Sequence, residues 1–199
     1  FHRALTGASD GDQVEELDAA IERLSEPVDL ARHFGLITEW DVIGPFNNVD
    51  RVGFAAVYPP EEAVELDAEY QGSLGPVTWQ RLKAPDELTS KIDKVGKFDL
   101  AKLVGPHKGA VQYVTTEFVS DKDQPVEFRI ATPNGWKLWV NGKYVFGQEE
   151  YHRGMLFDQY IVRGEVKAGK NRILLKVCQD EQTPNWAQAW EFQFRVCDL

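Results

Sequence analysis

The pair Asn141-Gly142 separates two short runs rich in aromatic and β-branched residues, Trp136–Val140 and Tyr144–Phe146. A two-residue turn of this kind needs φ > 0 at both positions, which Asn and Gly tolerate, so the segment reads as a β-hairpin. The same grammar repeats along the chain. Ile37–Ile43 alternates until Gly44-Pro45 is expected to break it, and Ala110–Val119, Val126–Ala131, Tyr160–Val162, Arg172–Cys178 and Trp190–Val196 are further β-rich runs. Asp121-Lys122-Asp123, Pro133-Asn134-Gly135 and Ala168-Gly169-Lys170-Asn171 supply turn residues between them. Many short strands with such spacing predict a mainly β chain, folded as a two-sheet antiparallel sandwich.

Phase assigns faces within these strands. Trp190, Phe192, Phe194 and Val196 alternate with Glu191, Gln193 and Arg195, the pattern of a half-buried strand with Trp190 in the core. Ile173, Leu175 and Val177 share one side of their strand, and Leu174, Lys176 and Cys178 share the other. Trp139 is out of phase with Leu138 and Val140, so it should leave the core-facing side.

Two regions depart from the strand pattern. Residues 1–36 read as helical: Asp10 or Asp12 caps a stretch with Val14, Leu17, Ile21 and Leu24 on one face. Ser25 and Pro27 then start a second helix bearing Leu30 and Phe34, stopped by Gly35. Such a pair packs on the domain at 37–199 or ends an upstream helical array. Between Asn47 and Pro106, Pro59-Pro60, Gly72, Gly75-Pro76 and Gly105-Pro106 predict long loops and short edge strands. Val77–Leu82 is the one strand expected there, and Pro85–Lys91 a helical turn.

Charge narrows the partners. Lys plus Arg total 22 against 32 Asp plus Glu, a net charge of −10, which repels phosphate backbones and argues against nucleic acid. The excess lies before Pro106, and the second half is neutral and holds four of the six tryptophans. No apolar run is long enough for a transmembrane helix, so no membrane insertion is expected. The start at Phe1, without a signal region, is read as a piece of a longer protein.

The segments Leu138-Trp139-Val140-Asn141-Gly142-Lys143, Phe157-Asp158-Gln159-Tyr160 and Gly169-Lys170-Asn171-Arg172 before the apolar strand resemble the galactose-binding-like jelly roll. The nearest resemblance is to the sugar-binding domain of family-two glycoside hydrolases, over about Ala110 to Val196. Glu39-Trp40-Asp41-Val42-Ile43-Gly44-Pro45-Phe46, Tyr58-Pro59-Pro60-Glu61 and Gly75-Pro76-Val77-Thr78-Trp79 resemble a version of the module in large bacterial exported or surface proteins. The resemblance implies a jelly-roll sandwich, an extracytoplasmic location and neighbouring domains in a parent chain. It leaves two functions open: a carbohydrate-binding module for a polysaccharide or glycan, or a structural and protein-interaction domain. It requires no cofactor. Modules of this fold often hold one structural calcium, for which Asn47, Asn48 and Asp50 offer oxygen ligands, but their spacing matches no defined calcium loop and favours reading them as solvated turn residues.

Sugar recognition needs a flat aromatic platform with planar polar side chains beside it. Trp139, Gln148, Glu150, Tyr151, His152 and Arg153 form one candidate set, and Asn185 with Trp186 a second. If both loops share one end of the sandwich, they make a cleft. In the opposing reading Trp139 is covered by the Gln148–Leu156 loop and Trp186 plugs the sandwich end. No catalytic role is expected. Glu149-Glu150 and Asp180-Glu181 are sequence neighbours rather than carboxylates facing across a cleft, and the four histidines are scattered. Cys178 and Cys197 end the last two strands; in a hairpin of those strands they sit too far apart to bridge, so free thiols are expected.

Overall fold

The computed structural model describes residues 30–84 and 94–199, together with Glu16, Ala19 and Ala20, which are helical. The expected caps and helix faces at residues 10–27, and the helical turn at 85–91, otherwise lie outside the described residues. Twelve strands follow in order: β1 (Glu39–Asn47), β2 (Glu69–Gly72), β3 (Gly75–Thr78), β4 (Gln80–Lys83), β5 (Lys97–Asp99), β6 (Ala110–Ser120), β7 (Gln124–Ala131), β8 (Gly135–Val140), β9 (Lys143–Gln148), β10 (Tyr160–Val166), β11 (Gly169–Gln179) and β12 (Glu191–Asp198). Among the described residues, four short helices accompany them: α1 (Leu30–Phe34), α2 (Val52–Ala55), α3 (Pro59–Glu62) and α4 (Leu100–Leu103).

The strands build a six-stranded sheet ordered β4-β1-β6-β11-β8-β9 and a four-stranded sheet ordered β10-β7-β12-β5, with β2-β3 as a separate hairpin. Every pairing is antiparallel. Trp40, Val114, Trp136, Leu138, Leu175 and Val177 from the larger sheet meet Phe98, Phe128, Phe192 and Phe194 from the smaller one, and Trp190 just before β12, in a single core. The fold is an antiparallel β-sandwich. The β8–β9 hairpin turns at Asn141-Gly142, both with positive φ (52° and 75°).

Four expectations need correction. Gly44-Pro45 does not end β1; the register shifts between Ile43 and Phe46, and pairing with β6 resumes at Phe46↔Val111 and Asn47↔Ala110. A bulge absorbs the missing proline donor there, and Gly44, at φ 139°, leaves room for the Gln112 side chain. Val77–Leu82 is not one strand but the end of β3 and the start of β4, divided at Trp79, which packs into the outer apolar layer. The last two strands do not form a hairpin: β11 pairs with β6 and β8, and β12 with β5 and β7. The connection between them crosses from one sheet to the other, so Cys178 and Cys197 lie on different sheets, both buried and both free. Finally, β12 is buried on both faces. Arg195 and Arg129 ion-pair with Asp158, while Arg195 lies over the Phe157 ring. Gln193 Nε2 donates to the Val95 carbonyl at 2.6 Å.

The outer face of the six-stranded sheet is covered as well. Ile43, Phe46, Val111, Tyr113, Trp139, Leu174 and Cys178 point away from the main core and are capped by Phe54, Tyr58, Val64, Tyr70 and Val77. Lys176 fixes that cover. Its ammonium is fully buried and donates to Glu61 Oε1 (2.7 Å) and the Ala56 and Phe54 carbonyls (2.6 and 3.3 Å). Tyr113 donates to the same Glu61 oxygen.

Candidate functional site

β11 ends at Gln179, and the next residue, Asp180, organises one end of the sandwich. Its side chain is 1% exposed. His152 Nε2 lies 2.8 Å from Oδ1, Arg51 donates to Oδ2 at 2.9 Å, and the Gln182 amide donates to Oδ2 at 3.1 Å. The Gln182 backbone N–H donates to Oδ1 at 3.1 Å. Burial alone would raise this carboxyl; the Gln182 N–H, His152 and Arg51 outweigh it and hold the group below the usual carboxylate range. Asp180 is thereby a fixed anion whose acceptor sites are occupied.

Three loops converge on it. The turn after β1 brings Asn48, whose Nδ2 donates to the Gln179 carbonyl (3.0 Å) and to the Tyr151 hydroxyl (3.3 Å). The same turn brings Asp50, whose N–H donates to Glu181 Oε1 at 2.7 Å, and Arg51, whose guanidinium lies 4.6 Å from the Tyr151 ring centre. The loop after β9 brings Tyr151 and His152. The loop after β11 brings Trp186, on a 3-10 turn at Asn185–Ala187. Trp186 is 63% exposed, and its ring meets the edge of the His152 ring at 5.2 Å and 84°. Asp50, Arg51 and His152 all have φ between 54° and 60°, so the backbone holds left-handed turns at three non-glycine residues around one point.

The candidate sets are therefore joined only in part. Tyr151, His152 and Trp186 come together at one sandwich end with Asn48 and Asp50, and Asn185 is an exposed neighbour of Trp186. Glu150 and Arg153 pair with each other at 2.7 Å, and Glu150 also accepts from Tyr160 at 3.1 Å. Gln148 closes β9 opposite Trp136. Trp139 does not reach this end. Gly135 lies against the Tyr151 ring, and Trp139 is four residues further along β8, about 13 Å away at strand rise. It leaves the main core as its phase requires, yet it is only 7% exposed, because the segment after α3 and Tyr144 cover it rather than the Gln148–Leu156 loop.

Sequence reasoning missed Arg51, Asp180 and Gln182. Arg51 carries no pattern that separates it from other surface arginines. Asp180 could have been found as a carboxylate immediately following an apolar strand, where the backbone is still buried. In the calcium candidate set, Asn47 Oδ1 accepts the Val49 N–H at 3.1 Å, Asn48 Oδ1 is buried without a partner, and Asp50 is exposed. Among the described residues, no group of three or more His, Cys, Asp or Glu side chains could hold a metal ion.

No family model matches the chain, and no curated protein matches it by sequence. Solved structures similar to it include a β-glucosidase from Kluyveromyces marxianus, at 15% identity and a TM-score of 0.39 over 53% of this chain and 14% of that one. An FMN-binding β-glucuronidase from Facaelibacterium prausnitzii L2-6 matches at 10% identity and 0.39, over 80% of this chain and 22% of the enzyme. A family 35 carbohydrate binding module from Clostridium thermocellum matches at 11% identity and 0.30, over 42% and 69%. The chain thus spans less than a quarter of the two enzymes. The β-sandwich that the sequence resemblance implied is the architecture found, and carbohydrate-binding modules are among its structural neighbours. The likeness is partial at these scores and assigns this chain no ligand. No helix among the described residues is long and apolar enough to cross a membrane.

Proposed function

We propose that the chain is a non-catalytic carbohydrate-binding-like module of a larger, extracytoplasmic protein, and that its glycan docks on Trp186. The supporting observation is one exposed indole with a fixed base. Trp186 is packed edge-on by His152, which is held by the buried Asp180, which in turn is held by Arg51 and Gln182. A ring that exposes most of its surface while its support is this well anchored offers a pre-ordered face to the C–H side of a sugar. The amides of Gln182, Asn185 and Gln188 lie in the same loop. Asp180 and Glu181, two of the carboxylates at this end, accept structural hydrogen bonds, which supports binding rather than hydrolysis.

Affinity electrophoresis of the chain through gels containing soluble polysaccharides tests this reading. Retardation by at least one polysaccharide is expected, with loss in Trp186→Ala and an unchanged melting temperature. Unretarded migration across neutral and acidic polysaccharides would refute it, and a structural or protein-interaction role would replace it.

A further inference from the structure

His152 stands between the exposed indole and the buried carboxylate at the sandwich end. Its side chain is 7% exposed, its Nε2 lies 2.8 Å from Asp180 Oδ1, and its ring centre lies 5.2 Å from that of Trp186. The state of Asp180 fixes the tautomer. An ionised carboxylate only accepts, so the Nε2 of a neutral His152 carries the hydrogen and donates it to Oδ1. Nδ1 then holds a lone pair, and no hydrogen bond to it is made among the described residues. His152 can therefore take up a proton at Nδ1 without giving up its bond to Asp180.

Charged neighbours come from each loop around it. Arg51, on the other oxygen of Asp180 at 2.9 Å, opposes an added positive charge. So does Lys108, which donates to the Ala187 carbonyl beside Trp186 at 2.7 Å. Asp180 favours the charge at contact distance, and Asp50, Glu149 and Glu181 add negative charge on the same three loops. Glu150 and Arg153 pair with each other and offset. Tyr151 stays neutral, because burial pushes its hydroxyl further up from its ordinary value. The acids thus outnumber Arg51 and Lys108.

We infer that His152 is a proton-dependent positioning residue for the Trp186 platform. A proton at Nδ1 turns its bond to Asp180 into one between opposite full charges, in a place shut off from water, and strengthens it. The ring that supports the indole is then held more tightly, and ligand binding at Trp186 strengthens as pH falls from about 8 to about 5. This inference rests on the reading of Trp186 as a glycan platform and adds its regulation.

Two measurements on the full chain test it. In the first, tryptophan fluorescence is followed from about pH 8 to about pH 5, because imidazolium quenches an adjacent indole more than neutral imidazole does. A step is expected in the parent and absent in both His152→Gln and Trp186→Phe. Trp186→Phe leaves His152 and its backbone in place, so it keeps the test valid even where His152→Gln unfolds. In the second, affinity electrophoresis through a neutral polysaccharide is compared at about pH 5.5 and about pH 8, each against a ligand-free gel at the same pH. The affinity should be about threefold or more higher at the lower pH in the parent, and independent of pH in His152→Gln. No fluorescence step, or a step that persists in Trp186→Phe, overturns the inference. Equal affinity at both pH values overturns it and leaves the glycan platform standing. No retardation at either pH, with the fluorescence step present, overturns the platform and its regulation together.

Discussion

Lys176 offers the sharpest test of how the outer layer is held. Its ammonium is fully buried and bonded to the Glu61 carboxylate and two backbone carbonyls, with the Tyr58 and Tyr113 rings 5.4 and 5.6 Å from it. Burial lowers its pKa, and the bond to Glu61 opposes that shift. Lys176→Met keeps the length of the apolar stem and deletes the charge. The Glu61 carboxylate then retains only the Tyr113 hydroxyl, and the Ala56 and Phe54 carbonyls lose their donor. Removing one partner of a buried pair costs about 3–5 kcal/mol. The lower half of that range is expected here, because Phe54 and Ala56 are only half-buried and their carbonyls can recruit water.

The paired substitution separates charge from packing. In Lys176→Met/Glu61→Leu neither charge is stranded, so stability should return to within about 1–2 kcal/mol of the parent, well short of the sum of the single losses. Equilibrium urea unfolding of the parent, both single variants and the double variant closes the cycle. A loss below about 1 kcal/mol for Lys176→Met would refute the clamp. Additive single losses would show that Lys176 and Glu61 act independently.

Other consequences are as direct. Asp180 has a folded pKa below its ordinary value of 3.8, so its stabilisation is present above that value and is lost as pH falls through the depressed one. Asp180→Asn should therefore flatten the acid limb of a urea-midpoint profile and cost about 1–3 kcal/mol at neutral pH. Burial pushes the Cys178 thiol up to about 12 and also raises Cys197, so neither should react with a disulfide reagent at pH 8 until urea unfolds the chain. Acrylamide should quench chiefly Trp186, since Trp40, Trp136 and Trp190 are buried in the core; an unchanged quenching constant in Trp186→Ala would contradict its placement. Because Asn47 Oδ1 already accepts the Val49 N–H, chelation by EDTA should leave the melting temperature within about 1 °C; a larger fall, restored by calcium and abolished by Asp50→Ala, would place calcium at Asn47, Asn48 and Asp50 instead.

The sandwich was legible wherever local chemistry leaves one choice. Asn141-Gly142 meets the backbone demand of its turn, and the phase of Trp190, Phe192 and Phe194 assigns them to the core. Phase failed where a third layer hides a polar residue. Alternation puts Arg195 on the polar side of a half-buried strand and leaves the side that holds Lys176 unassigned, yet each is buried against an acid contributed from far along the chain, Asp158 and Glu61. Alternation reports which side of a strand a residue occupies, and only tertiary structure determines whether that side is wet. A partial sign existed: Lys176 shares its side with Leu174 and Cys178, an apolar company that a solvated face does not need.

The same distinction separates the two candidate tryptophans. Both were singled out as aromatic rings beside polar loop residues, which identifies a candidate platform but not its accessibility. Trp139 lies on a strand, so the sheet presents it to whatever packs on that face, and the outer apolar layer leaves it 7% exposed. Trp186 lies on a 3-10 turn after β11, where none of the described elements covers it. Its order comes instead from beneath, through His152 and Asp180. An indole supported from below and open above leaves a face that a ligand can reach, whereas one covered on its outer side does not.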